Sequence, residues 1–289
     1  MVAGRPPVLS RFSVAPLLAA RQAGARVARI SLDLGRSEAE VSLTDDGAVL
    51  PDGQFVPWPE VERVAQEGAG DLVAPCFILR DGRLERVQVF SMQFQRLYSL
   101  VATATAPTLL ISGIPMHRIK DSDPLQDTRA KVRAIAPITG HVLDTATGLG
   151  YTAIEAAKYA TRVTTCELDP AVLDVARLNP WSADLFENPR ITQLVGDSFE
   201  LVRGFAPASF DRIIHDPPTF SLAGELYSAE FYRHLFRVLK PGGRIFHYVG
   251  NPQTSAMERV TRGVIRRLHE AGFSHVRRRP EAFGVVAYK

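Results

Sequence analysis

The stretch Phe210-Asp-Arg-Ile-Ile-His-Asp-Pro-Pro-Thr-Phe220 sets an acid, two prolines and an aromatic ring directly after a run of core residues. Proline cannot donate to a sheet ladder, so a strand that starts at Phe210 must stop at His215 or Asp216. Beyond it stand a carboxylate, Asp216, and a carbonyl, Pro217, with no proline N–H to compete for them. Two adjacent acceptors can hold the N–H bonds of an amine, and a ring can stack on a flat base. On this reading Asp216 and Pro217 do the chemistry. His215, Pro218, Thr219 and Phe220 shape the substrate side, and Tyr232 is a further candidate there. An Asp-Pro-Pro turn can also be only a turn; its place at a strand end gives it weight.

Three other strand ends carry matching features. The first reads Asp144-Thr-Ala-Thr-Gly-Leu-Gly-Tyr-Thr152, where two glycines let a ligand approach the backbone just before a helix N-terminus. The second is Cys166-Glu167-Leu168-Asp169, with Glu167 placed to accept two ribose hydroxyls and Asp169, before Pro170, to cap a helix. The third is Gly196-Asp197-Ser198, where Asp197 is expected to accept from an adenine amino group, a helix cap being its other role. These ends describe a cleft for an adenosine substituted at its 5′ position. The phosphate loop G-x-x-x-x-G-K-[ST] is absent and the dinucleotide G-x-G-x-x-G spacing is not met. An acid-lined cleft suits a sulfonium better than a pyrophosphate.

Such ends need a framework. From residue 124 onward strands and helices alternate. Strands are predicted at 141–146, 162–167, 190–195, 210–215 and 244–249, and helices at 124–135, 151–159, 171–178, 229–239 and 256–271. Strict alternation implies a parallel sheet covered on both faces, with ligands beyond the carboxyl ends of its strands. Residues 274–278 and 283–288 read as a closing pair of strands that adds an antiparallel member. The first part differs. A helix over 11–22 and strands at 28–34, 40–43, 77–79 and 84–90, with turns at Asp45-Asp46-Gly47 and Asp81-Gly82, predict a small β-rich domain. The expected division is 1–110 and 111–289, with the first domain a candidate for substrate capture.

Bulk properties agree with a globular chain. Of its 289 residues 46% are hydrophobic, and the two cysteines, Cys76 and Cys166, form neither a disulfide framework nor a zinc site, so no metal is expected. No apolar run is long enough to span a membrane and the first residues lack a signal-like core, so a cytoplasmic protein is expected. Net charge is +3, and arginine supplies most of the positive charge. The Arg262, Arg266, Arg267 and Arg277–Arg279 cluster could track phosphates or form a solvated face.

The motif series resembles the class I S-adenosylmethionine (SAM)-dependent methyltransferases. It comprises Val142–Thr152, Glu167, Gly196-Asp197, Asp216-Pro-Pro-Thr219 and Val238-Leu-Lys-Pro-Gly-Gly-Arg244. Ile111–Arg118, Asn179-Pro-Trp181 and His215-Asp-Pro-Pro are similar to a group of mainly archaeal predicted methyltransferases with a comparable N-terminal extension. The resemblance implies a Rossmann-like fold with a seven-stranded, mostly parallel sheet, and SAM as cofactor. It implies that Asp144, Thr145, Ala146, Thr147, Gly148, Gly150, Tyr151 and Thr152 line the methionine end. Glu167 with Leu168 would take the ribose and Asp197 with Ser198 the adenine. Met116, His117 and Lys120 lie where such enzymes close over the cofactor.

The Asp-Pro-Pro box is similar to that of amino-group methyltransferases, with Thr219 where an aromatic is usual and Phe220 one step later. Cytosine C5 chemistry is disfavoured because neither cysteine is placed as a nucleophile. Methyl transfer to a nitrogen of a base in RNA (tRNA or rRNA) is the expected activity. The alternatives are transfer to a protein or small-molecule amine, aminopropyl transfer included, and a non-catalytic module that binds SAM or RNA. Thr145–Gly150 departs from the Gly-Gly-Gly-Asp-Gly-Gly turn of the aminopropyltransferases.

Overall fold

In a computed structural model, which describes residues 5–68, 71–218, 223–251 and 254–289, the chain divides into two compact units. One comprises Met1–Leu125 with Ala171–Ala183, the other Gln126–Pro170 with Asp184–Lys289.

The second unit is built on a seven-stranded sheet. Its strands are β1 (His141–Asp144), β2 (Arg162–Glu167), β3 (Ile191–Val195), β4 (Phe210–His215), β5 (Leu239–Tyr248), β6 (Ser274–Arg279) and β7 (Gly284–Tyr288), in the order β3-β2-β1-β4-β5-β7-β6. The first five run parallel, and β7 lies antiparallel between β5 and β6. This is the expected α/β, Rossmann-like methyltransferase fold. The order changes direction between β1 and β4, so a cleft opens beyond their carboxyl ends. Both Asp144 and the Asp216-Pro-Pro segment lie there.

Local chemistry explains the elements. Phe210, Ile213 and Ile214 are buried on β4, as a doubly covered parallel strand requires. The helix Ala229–Val238 starts where Ser228 accepts from the Phe231 N–H, and it buries Phe231, Tyr232, Leu235 and Val238 along one face. These side chains join Leu143, Phe210, Ile245, Leu268 and Val285 in one core. Each large side chain removed from water contributes roughly 1.5–3 kcal/mol. Strand β5 begins earlier than expected. Leu239 pairs with Phe210, and the register resumes at Arg244 opposite Arg212 after the Pro241-Gly-Gly243 interruption.

The first unit is mostly β. Val27–Ile30, Ala39–Leu43, Gly47–Val49 and Phe55–Pro57 form an antiparallel sheet, packed with the helices Arg11–Gln22 and Trp58–Gln66 around Leu17, Val41, Val56, Trp58 and Phe77. The Trp58–Gln66 helix, with Pro59 in its first turn, was not expected from the sequence. The expected 84–90 strand is two: Arg83–Arg86 pairs with Phe77–Arg80, and Gln88–Ser91 pairs with Arg96–Ala102 in a different sheet. The division also falls later than residue 110. Thr108–Ile111 pairs with Tyr98–Val101, and Ile114–Pro115 pairs back on it, which holds this stretch in the first unit's sheet.

Candidate active site

The glycine turn after β1 is built by hydroxyls and by positive φ. Gly148 and Gly150 stand at φ 53° and 77°. A Cβ on Gly150 would meet Leu185 Cδ2 at 2.7 Å, so this position needs both the left-handed backbone and the missing side chain. Thr152 donates to Asp144 Oδ2 at 2.9 Å, the Thr147 and Thr165 hydroxyls meet at 2.7 Å, and Thr145 Oγ1 lies 2.7 Å from His215 Nδ1. Tyr151 is buried and Ala146 half-buried. These threonine side chains hold the turn in shape, with Gly148 and Gly150 buried in it.

Two acids face the cleft under desolvation. Asp144 is fully buried, and burial pushes its carboxyl up to about 7 against the opposing bonds from Thr152, the Ala146 amide and Thr165, with the charge of Asp216 adding to the rise. Among the described residues, no donor meets its Oδ1 at hydrogen-bond geometry. Glu167 is likewise pushed up to about 7 by burial, although it is held by the Gly148 N–H at 2.8 Å and the Asp169 N–H at 3.2 Å. A carboxylate has about four acceptor sites, so both oxygens of Glu167 can still receive ribose hydroxyls. Leu168 beside it is 41% exposed and offers an apolar surface at the strand tip.

Asp197 is exposed, and its Oδ1 accepts from the Phe199 N–H at 2.8 Å, so it caps the helix Ser198–Gly204. The sequence reading favoured adenine; the cap is the role the structure displays. Ser198 is buried and donates to the Thr145 carbonyl.

The orphaned Asp144 oxygen, two desolvated acids and a glycine turn form a donor set that fits a cationic adenosyl sulfonium. Asp144 with the turn would hold its charged end and Glu167 its ribose. When bound, that group supplies a carbon made electrophilic by the positive sulfur.

At the end of β4 the arrangement is asymmetric. Asp216 Oδ2 lies 2.6 Å from Lys131 Nζ, and no described residue donates to its Oδ1. Its side chain keeps 18% exposure. Burial raises the Asp216 carboxyl, Lys131 opposes the rise, and Asp127 adds to it. Pro217 is buried, and the Pro218 carbonyl accepts from the Tyr227 hydroxyl at 3.0 Å. Thr219 and Phe220 lie outside the described residues.

Two expectations are corrected. His215 does not present a nitrogen to a substrate. Nδ1 bonds Thr145, Nε2 bonds the Leu226 carbonyl at 2.9 Å, and burial pushes the imidazole down to about 3, so the ring is neutral and fully engaged. Tyr232 does not line the substrate side. It is fully buried among the core aromatics, with its hydroxyl 2.7 Å from His247 Nε2.

The residues that the sequence reading missed are Lys131 and Asp127, on the helix Pro124–Ala134. The available signal was an Asp-x-x-x-Lys spacing, in a chain poor in lysine, on the helix leading into β1. Both cysteines are buried, and burial pushes the Cys166 thiol up to about 12, which makes it a poor nucleophile. The basic cluster is largely engaged. Arg278 and Arg262 pair with Glu258, Arg266 pairs with Glu270, and Arg267 donates to the Tyr227 carbonyl. His117, in the first unit, bonds the Thr108 hydroxyl. No helix among the described residues is long and apolar enough to cross a membrane.

Residues 98–278 match the family described as the spermine/spermidine synthase domain. An uncharacterized protein of Methanocaldococcus jannaschii is 41% identical over 266 residues, which covers 90% of this chain and 88% of that one. A polyamine aminopropyltransferase of Mycobacterium tuberculosis is 40% identical over 95 residues, 31% of this chain and 18% of its own length. A putrescine N-methyltransferase of Nicotiana tabacum is 32% identical over 100 residues, 33% of this chain and 26% of its own length. Among solved structures, a spermidine synthase in complex with the transition-state analogue AdoDATO superposes with a TM-score of 0.58 at 20% identity, covering 77% of this chain and 78% of that one.

Proposed function

The chain belongs to the spermine/spermidine synthase domain family, and from that membership we propose that it is a transferase acting on an amine nitrogen with an adenosyl sulfonium as group donor. The acceptor is a small amine of the polyamine class, and the group is the methyl of SAM. The observation that carries this reading is Asp216, at the end of β4, with one oxygen anchored by Lys131 and the other open beside the acid-lined cleft. Oδ1 accepts an N–H of the amine and orients the nitrogen lone pair, and orientation of this kind is a large part of the rate. As the nitrogen becomes positive the same oxygen takes its proton, a role suited to a carboxyl that burial makes more basic than a free one.

The polyamine class is drawn from the family and from the named relatives. RNA, the acceptor expected from the sequence, has no support among them, and the arginines that could have tracked phosphates are mostly engaged by Glu258, Glu270 and a carbonyl. The amine alternative is therefore the better supported. Aminopropyl transfer from decarboxylated SAM is a second reading, favoured by the family itself. The Thr145-Ala-Thr-Gly-Leu-Gly150 turn favours methyl.

The two readings leave different products. Purified protein is incubated with putrescine or spermidine and either SAM or decarboxylated SAM, and the adenosyl product is identified. S-adenosylhomocysteine with a methylated amine supports the proposal. Methylthioadenosine with an elongated polyamine replaces it with the second reading. Asp216→Ala should abolish turnover while cofactor binding persists; unchanged turnover would remove Asp216 from the chemistry.

A further inference from the structure

The helix Pro124–Ala134 carries a buried cation. Lys131 is 2% exposed, with Nζ 2.6 Å from Asp216 Oδ2, 2.8 Å from Asp127 Oδ2 and 4.6 Å from the centre of the Tyr248 ring. Asp127 is fully buried one helical turn earlier. Burial alone would drive the ammonium to give up its proton. Asp216 and Asp127 outweigh that and hold Lys131 above its ordinary value. Two carboxyls and one ammonium are packed together in a desolvated place.

Stability is a weak reason for such an arrangement, because apolar residues of similar volume stabilise a core as well or better than a buried ion cluster does. What the trio achieves is geometric. A carboxylate on a strand end can rotate, but clamped at Oδ2 it offers Oδ1 alone. The groups facing Asp216 are Lys131 and Asp127 from the helix, Asp144 from β1 and Tyr227 from the turn before the Ala229–Val238 helix, with Tyr248 beyond Lys131. Among the described residues Lys131 is the one cation in this group, opposed by the neighbouring acids.

We infer that Lys131 is a positioning residue for the transfer: it clamps one oxygen of Asp216, so that the other oxygen is the acceptor for the substrate nitrogen, while Asp127 holds Lys131 in place. This rests on the reading of Asp216 as the amine acceptor. Without Lys131 the Asp216 carboxyl loses the charge that opposes its desolvation and binds a proton more readily, and its protonated form is a donor where an acceptor is needed.

The test separates the clamp from the activity. Asp216 is titrated by 13C NMR in protein labelled at the aspartate carboxyls, with its signal assigned through Asp216→Asn; no substrate is required. Lys131→Met should move its midpoint up by about one unit or more, and Asp127→Asn should move it down, since Asp127 raises it in the wild type. A Lys131→Met/Asp127→Asn double variant removes the second buried acid as well and provides a folded sample if the single variant unfolds; its midpoint should also exceed the wild-type one, because the opposing ammonium is gone. With SAM and putrescine, Lys131→Met should lower kcat by about tenfold or more while SAM affinity stays within about twofold, and Lys131→Arg should recover part of the rate. A midpoint that does not move while melting temperature falls makes Lys131 structural only and overturns the inference. If wild type transfers nothing to any amine, the proposed function fails, and the titration still decides whether Lys131 sets the state of Asp216.

Discussion

The backbone N–H of Gly148 donates to Glu167 Oε2 at 2.8 Å, which ties the glycine turn after β1 to the end of β2. The bond fixes the two parts of the cleft that would hold the two ends of a nucleoside. Glu167→Gln replaces a charged acceptor with an amide that competes as a donor. A hydrogen bond to a charged group contributes about 1.5–3 kcal/mol, so SAM affinity should fall by about tenfold or more. Calorimetry on the variant checks it, and an unchanged Kd would remove Glu167 from cofactor binding.

Gly150 is the tightest point of the same turn. Gly150→Ala would set a methyl 2.7 Å from Leu185 Cδ2 on a backbone at φ 77°. Overpacking with a strained φ costs about 1–3 kcal/mol, or roughly 2–12 °C in a unit of this size. Thermal unfolding should show that loss; a stability equal to wild type would mean that the turn relaxes at no cost.

Tyr232 tests the division between core and pocket. Tyr232→Phe keeps the ring and leaves His247 without its hydroxyl partner. A lost buried hydrogen bond should lower stability by about 1–2 kcal/mol. KM for the amine should stay at the wild-type value, and a raised KM with unchanged stability would return Tyr232 to the substrate side.

The buried acids set a pH dependence. The Asp144 carboxyl titrates at about 7 in the fold against 3.8 when free, so between those values the folded chain binds a proton that the unfolded chain has lost. Its contribution is therefore stability present below about pH 4, lost progressively toward pH 7 and absent above it. Glu167, pushed up to about 7 from 4.5, acts in the same direction. Asp144→Asn, which can still accept from Thr152 and Thr165, should shrink the wild-type loss of stability between pH 5 and pH 8 in chemical denaturation. An equal loss in both proteins would show that Asp144 is already ionised at pH 5.

Much of the second unit was legible because its signals are local. Arg162–Glu167 and Phe210–His215 match their predicted bounds, since β-branched residues (Val163, Thr164 and Thr165; Ile213 and Ile214) followed shortly by an acid before proline (Asp169-Pro170, Asp216-Pro217) leave little room for a strand to run on. The closing antiparallel pair was legible from Arg279-Pro280 for the same reason. The first unit was less so. Gln88–Ser91 leaves one sheet for another after a single residue, and nothing in the residues themselves marks that change of partner.

The sequence by itself determined the fold class, the four strand ends and the acids that stand on them. Spacing along a strand or around a turn is enough to decide these. Only the tertiary structure decided which of those groups are open. His215 and Tyr232 read as site residues until burial and their partners showed them engaged inside the protein. Asp216 read as a free acid until Lys131, 85 residues away, was brought to 2.6 Å. A side chain's role depends on what desolvates it and what donates to it, and those neighbours come from other strands and helices that only the packed sheet brings together.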